Sequence, residues 1–334
     1  MGAGRGGTNQ DAIGRAPGWI GVGGALLLIL LPILVGTREY LLYLGTMALI
    51  FGLLAESWNL PAQAGLISFG HAAFFGVGAY ASALLSLRGQ LSPWVALMGA
   101  GLAAGLFGLL AAEVAGDLAG PYFSLATLAL AEILRVVALH WAALTEGAWG
   151  LVGIPGLPPV GLGRIPLPVG DRATDYYAAL LLLGVVCGTQ ACVRRAPLGL
   201  AIRAIRQGET RAAASGVDAR RVKRIALALS ALFAGEAGAL HAHIFHWVDP
   251  ASVFSPSLSV LPLIMAMFGG SGYLLGPVLG AMLLYLGNEL VLQRLAPGAH
   301  LLLYGGAVVL VILALPHGIL GWIEARVGER RAAV

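Results

Sequence analysis

The chain has 334 residues, 58% of them hydrophobic and only 11% charged, with a formal net charge of +4. A soluble globular domain carries about 25% charged residues, so this composition excludes one. Unbroken apolar runs such as Ala25-Leu26-Leu27-Leu28-Ile29-Leu30-Leu31 also exclude a membrane barrel, whose strands alternate over segments of about ten residues.

Residues 1–17 are polar and glycine-rich, with Arg5 and Arg15, and predict a tail. The apolar stretch after them is too long for a typical signal peptide and is expected to be retained. Apolar windows lie near 18–36, 40–60, 66–87, 93–115, 121–141, 176–193, 225–246, 256–269, 274–293 and 299–316. A hydrocarbon core about 30 Å thick takes about 20 such residues per helix, which predicts an all-α membrane protein of about ten transmembrane helices. The transmembrane domain then runs over 18–316, with loops at 142–175 and 194–224 and a second tail at 317–334. Gly101/Gly105 and Gly276/Gly280 have the four-residue spacing that lets helices approach closely. Cys187 and Cys192 share one predicted helix and suggest neither a disulfide framework nor a metal knuckle.

Short loops rich in Lys and Arg are retained on the cytoplasmic side. Residues 194–224 hold nine of the twenty basic residues, including Lys223, the only lysine. Counting spans outward from that loop places both termini inside as well, and leaves Arg38, Arg88, Arg164, Arg172 and Arg294 outside, with Arg135 in a span. The loop at 142–175 is then the longest external segment. Helices two to five start outside and helices seven to ten start inside, which predicts an inverted repeat of the two groups. Leu91-Ser92-Pro93-Trp94-Val95 and Leu275-Gly276-Pro277-Val278-Leu279 open equivalent helices in that scheme.

Glu56, Glu113, Glu132, Glu236 and Glu289 fall within apolar spans. An ionised side chain facing lipid at midplane costs about 2.5–3.5 kcal/mol, so these residues are expected to face protein or water. Glu132 and Arg135, three apart on one helical face, are expected to neutralise each other as a structural pair. Ser68 and His71 bring polar groups to a stretch with Gly65, Gly70, Gly76 and Gly78, where the backbone can bend and a solute can pass, and Glu56 with Asn59 is a second candidate for such a pathway. Helix packing is the bland alternative for both. His241, His243 and His246 cluster near one helix end, but 241 and 243 point to different sides and only the more distant Asp249 adds a carboxylate, which disfavours a metal site.

The basic loop reads Arg195-Ala-Pro-Leu-Gly-Leu-Ala-Ile-Arg-Ala-Ile-Arg-Gln-Gly-Glu-Thr-Arg-Ala-Ala-Ala-Ser-Gly216, with the propensity of two short helices broken around Gly208 and Gly216. By itself it fits either a handle for a partner or a topology signal contacting lipid phosphates. Its Pro197, Gly199, Ala204, Ile205, Arg206, Glu209, Ala212 and Gly216 match in order the loop of the branched-chain amino-acid ABC transporter permeases, which the segment resembles. Leu200, Gln207 and Gly208 depart from that pattern. Three further segments resemble the same family: Gly65-Leu-Ile-Ser-Phe-Gly-His-Ala-Ala-Phe-Phe-Gly-Val-Gly-Ala-Tyr80; Tyr122-Phe-Ser-Leu-Ala-Thr-Leu-Ala with Glu132-Ile133 and Thr145-Glu-Gly-Ala-Trp-Gly-Leu-Val-Gly-Ile-Pro155; and Gly269-Gly-Ser-Gly-Tyr-Leu-Leu-Gly-Pro-Val-Leu-Gly-Ala281.

The resemblance implies one permease subunit of an inner-membrane importer for leucine, isoleucine, valine or related small solutes. It also implies partner ATPase subunits that bind ATP and Mg, a second homologous permease and a periplasmic binding protein. Gly199, Arg206, Glu209, Ala212 and Gly216 would form the ATPase-coupling loop. The chain itself has no phosphate loop, because Lys223 is preceded by Val222, and no cofactor, metal or nucleic-acid partner is expected of it. Permeases for urea or short amides, an ion-coupled transporter and an intramembrane enzyme are the alternatives. The last is dismissed because the residues around Ser68 have the wrong spacing for a nucleophile elbow.

Overall fold

The computed structural model describes residues 18–35, 38–118, 120–158, 172–295, 298–315 and 318–332. The tail at 1–17 with Arg5 and Arg15, and Arg164 and Asp171 of the 142–175 loop, lie outside the described residues. In chain order the helices are α1 (Gly18–Val35), α2 (Glu39–Gln63), α3 (His71–Leu87), α4 (Pro93–Ala115), α5 (Pro121–His140), the short α6 (Ala142–Thr145) and α7 (Arg172–Arg195). The short α8 (Pro197–Gln207) and α9 (Glu209–Ala214) lead into α10 (Ala219–Phe245), α11 (Pro250–Val253), α12 (Pro256–Gly269) and α13 (Gly276–Gly287). A π turn at Asn288–Leu292 joins α13 to α14 (Gln293–Leu295), and α15 (His300–Ala314) and α16 (Gly318–Ala332) complete the chain.

Local chemistry sets many of these starts. Proline opens α4, α5, α8, α11 and α12, where its missing N–H has no intrahelical partner to lose. Asp218, Asp249 and Ser255 cap α10, α11 and α12 by accepting from the backbone N–H of Arg221, Ser252 and Leu258.

Among the described residues, seven segments are long and apolar enough to cross a membrane: α2, α4, α5, α7, α10, α11 with α12, and α13 through α14. The protein is an all-α membrane protein. Seven segments rather than ten meet both requirements; α3 and Leu302–Val311 within α15 are shorter apolar helices, and α1 coincides with the first expected window. The window expected at 66–87 is helical only from His71, because residues 66–70 unwind into a turn that other helices hold in place. The tail at 317–334 is largely helical, as α16, and packs against α12 and α13.

α2 and α10 form the centre. α10 packs on α3 and α4, α2 packs on α12 and α13, and α2 and α10 also touch each other. Within each flank α3 lies against α4 and α12 against α13. The first helix of each group of four therefore packs on the second and third helices of the other. Glycine makes these crossings close. A Cβ at Gly238 of α10 would sit 2.0 Å from Phe75 O of α3, so no other residue fits without separating the helices. Gly101 and Gly105 face Glu236 and Leu232 of α10, and Gly280 meets Met265 O of α12.

The two ends of the bundle differ. At one, Arg220 pairs with Asp117 and Arg224 with Glu113 beside the α8–α9 hairpin. At the other, Leu151–Val152 pairs antiparallel with Trp247–Val248, and Arg88 donates to Ala143 O at 3.0 Å. Trp141, Trp149 and Trp247 are exposed at that end, as amphipathic rings are at a membrane surface.

Candidate functional site

The signature at 65–71 forms a turn at the hairpin end of the bundle. α2 stops just after Pro61; Gly65 takes a φ of +84°, and Leu66 N donates back to Pro61 O at 2.9 Å. Irregular backbone inside a membrane protein has to find partners within the protein. Here Trp58 Nε1 donates to Ser68 O at 2.8 Å, Ser124 Oγ donates to Ile67 O at 2.6 Å, and Phe69 N donates to Thr127 Oγ1 at 3.1 Å. Ser68 Oγ accepts from Gly70 N at 3.2 Å, and Ser259 Oγ accepts from Ala72 N at 3.2 Å. α2, α5 and α12 thus pin the turn from three sides. Gly70 is required by contact, since a Cβ there would lie 1.8 Å from Thr127 O.

His71, the first residue of α3, is fully buried and joins three helices. Its Nε2 lies 3.1 Å from Ser57 Oγ on α2 and 3.4 Å from Ser230 Oγ on α10. Ser57 already donates to Leu54 O at 2.8 Å, so the ring Nε2–H donates to Ser57 and Nδ1 is left as an acceptor with no partner.

Glu56 and Asn59 are also fully buried, on the inward face of α2. Gln190 of α7 donates to the Glu56 backbone oxygen, Asn59 Nδ2 donates to Tyr273 O at 3.4 Å, and Arg194 donates to Gly272 O at 3.2 Å. Both Glu56 carboxylate oxygens, Asn59 Oδ1 and Gln190 Oε1 lack partners. Ser68, His71, Glu56 and Asn59 are thus interior groups in this conformation. Two cavities lie elsewhere: one beside α5, lined by Leu128, Ala131, Glu132, Phe254 and Pro256, and one beside the π turn that includes Asn288 and Glu289.

The basic loop folds as the expected pair of short helices, with positive φ at Gly208 and Gly216. Ile202, Ile205 and Ala212 are buried against Leu60, Ala64, Val222 and Ala226, so the hairpin is fastened to the ends of α2 and α10. Gly199 is buried where α8 folds back on α7. The outer side carries Leu200, 60% exposed, with Arg203, Arg206 and Arg211. Ala212 faces inward with the hairpin's other buried apolar residues, and Glu209 pairs with Lys223 at 2.8 and 2.9 Å. Gly216 lies in the open, with nothing within 4 Å of where a Cβ would stand, so its junction is constrained by its dihedral rather than by crowding.

The three histidines part company. His243 bonds Pro155 O at 2.7 Å and Ser82 Oγ at 2.8 Å, His246 bonds Ile154 O at 2.8 Å, and His241 packs on Phe245 at 4.3 Å between ring centroids. His243 and His246 staple the segment after α6 to the end of α10, while His241 packs against aromatic rings of α3 and α10.

The fold is thus a bundle of apolar helices that encloses a limited set of buried polar groups and carries a protruding basic hairpin. Residues 40–313 match the family described as the branched-chain amino acid transport system permease component, and the chain belongs to that family. It is 32% identical over 297 residues, 83% of this chain and 69% of the relative, to the high-affinity branched-chain amino acid transport system permease protein LivM of Escherichia coli. LivM of Salmonella typhimurium is 31% identical over the same shares. The guanosine ABC transporter permease protein NupQ of Bacillus subtilis is 27% identical over 191 residues, 54% of this chain and 59% of that protein. No solved structure matches the chain.

Sequence reasoning missed Trp58, Ser124, Thr127, Gln190 and Arg194. Ser124 and Thr127, three apart on α5, had a legible spacing; the partners they take did not.

Proposed function

We propose that this protein is one transmembrane subunit of an ATP-driven importer of branched-chain amino acids in the inner membrane. The hairpin end is cytoplasmic, together with both termini, and the Leu151–Val248 end faces the periplasm. ATP and Mg are bound by separate ATPase subunits that grip the α8–α9 hairpin, and the permease works beside a second, homologous one. The observation that carries the reading is the hairpin: its apolar side is fastened to α2 and α10 while Leu200, Arg203 and Arg206 project outward. A push on α8 is therefore transmitted to the ends of the two central helices. Gly199 and Ala212 support that surface from within, and Arg206, Glu209 and Gly216 border it.

The passage opens onto the interior at Ser68, His71, Glu56 and Asn59 when the helices part. The unpartnered atoms of Glu56, Asn59 and His71 support this, because buried polar groups without partners are costly and are better satisfied in a wetter conformation. The loop at 142–175, with Glu146, Arg172 and Asp175 among its described residues, receives the loaded binding protein.

The test is uptake by proteoliposomes holding the permease pair, the ATPases and the binding protein. Leucine uptake that requires ATP, and that excess guanosine or urea leaves intact, is the expected result. Uptake that persists without the ATPases would return the chain to the ion-coupled class.

A further inference from the structure

Glu132 and Arg135 stand at the twelfth and fifteenth of the 20 residues of α5. They are the only acidic and basic residues on that helix apart from its terminal His140. Arg135 Nε donates to Glu132 Oε2 at 2.9 Å and Nη2 to Oε1 at 2.5 Å, so the pair forms as its spacing predicts. It is not interior, however: the side chains are 47% and 31% exposed, on a face shared with Leu125, Ile133 and Val136. Other exposed ion pairs of this bundle, Arg220 with Asp117, Arg224 with Glu113 and Arg172 with Glu39, sit at helix ends where headgroups and water reach them. A charged pair twelve to fifteen residues into a 20-residue span is unfavourable against lipid and contributes little as an exposed pair three residues apart. Its face therefore borders water, a polar solute or, in the proposed pair, the second permease, rather than lipid.

Beside the pair lies a cavity of about 230 Å³, with Glu132 at its rim and Leu128, Ala131, Phe254 and Pro256 as its walls. One carboxylate, one guanidinium and an adjoining apolar hollow match the three parts of a zwitterionic amino acid with a branched aliphatic side chain.

We propose that Glu132, Arg135 and this cavity are a solute subsite on the translocation route. Glu132 accepts from the ammonium, Arg135 donates to the carboxylate, and the aliphatic branch enters the hollow between α5 and the start of α12. Without solute the two side chains neutralise each other. The zwitterion replaces that one ion pair by two, with no change of net charge. Ser124 and Thr127, one to two turns earlier on α5, hold the unwound 66–70 turn, so the subsite and the turn move together. The inference rests on the importer reading above.

The experiment is leucine uptake by the complete reconstituted complex with Glu132→Arg and Arg135→Glu combined. The exchange keeps an ion pair on the same face but carries the carboxylate away from the hollow, so a zwitterion bound to it points its branch elsewhere. Uptake is expected to fall at least tenfold, with normal membrane levels and normal co-purification of the ATPases. Leu128→Trp, which leaves both charges and fills the hollow, is expected to lower leucine uptake at least fivefold, and it carries the test if the exchanged variant does not reach the membrane. Uptake within twofold of the unaltered complex in either correctly inserted variant would overturn the subsite. Failure of the unaltered complex to show ATP-dependent leucine uptake would overturn the importer reading, and the subsite with it.

Discussion

Lys223 holds its ammonium 2.8 and 2.9 Å from the two carboxylate oxygens of Glu209, tying α9 to the first turns of α10. The pair is lopsided: the Lys223 side chain is 10% exposed and that of Glu209 56%. Removing the acid strands a nearly buried cation, whereas removing the cation strands only a solvated acid. Glu209→Gln is therefore expected to impair uptake more than Lys223→Met, and the two together are expected to recover part of the loss. Equal effects of the single variants would show that the pair does not position the hairpin.

Gly216 ends the hairpin with a φ of +80° and open space around it. A β-branched residue there costs about 1–3 kcal/mol of backbone strain, whereas asparagine tolerates the left-handed region. Gly216→Val is expected to leave membrane levels normal but to weaken ATPase pull-down and uptake, and Gly216→Asn to retain both. Full uptake with Gly216→Val would return the hairpin to a basic topology signal.

The signature turn offers two variants of different kind. Gly70→Ala forces a Cβ against Thr127 O and separates α3 from α5, at the upper end of the about 1–3 kcal/mol usual for overpacking, or beyond it. Thr127→Val keeps the shape but leaves the part-buried Phe69 N–H without its acceptor, at no more than about 1–3 kcal/mol. Both should lower the melting temperature of the purified protein, Gly70→Ala by more. A melting temperature unchanged in Thr127→Val would mean that water reaches the turn.

Glu56 faces the interior with both carboxylate oxygens unpartnered. A cysteine placed there is expected to react with a water-soluble maleimide during turnover and to resist it at rest. Labelling by a lipid-phase reagent alone would place residue 56 on the outside of the bundle.

The 142–175 loop is expected to bind the loaded binding protein more weakly as salt rises, because its described part and its borders carry Glu146, Arg172 and Asp175. Binding that is unaffected by salt, and by proteolytic nicking of the loop, would remove it from the docking surface.

Much of the architecture was legible because a bilayer imposes one-dimensional rules. Apolar length marks helices, proline and capping residues mark their starts, and glycines at 208 and 216 mark the breaks in the hairpin. The same rule misplaced residues 66–70. They are apolar enough to read as helix, yet Trp58, Ser124 and Thr127 give their backbone better partners than a helix would. Apolarity records only that a segment avoids water, and a pinned turn avoids water as well as a helix does.

By itself, the sequence determined that this chain is an all-α membrane protein, and its ordered motifs pointed to the family and to the hairpin, because lipid selects for composition and family motifs keep their spacing along the chain. Only the tertiary structure decided which polar residues are interior and which are exposed. Glu56 and Glu132 are both acids inside apolar spans, with Asn59 and Arg135 three residues on, and no local pattern says which of the two is enclosed. One is enclosed because α2 is surrounded by other helices, the other is open because α5 lies at the edge, and that difference depends on contacts between segments distant in the chain.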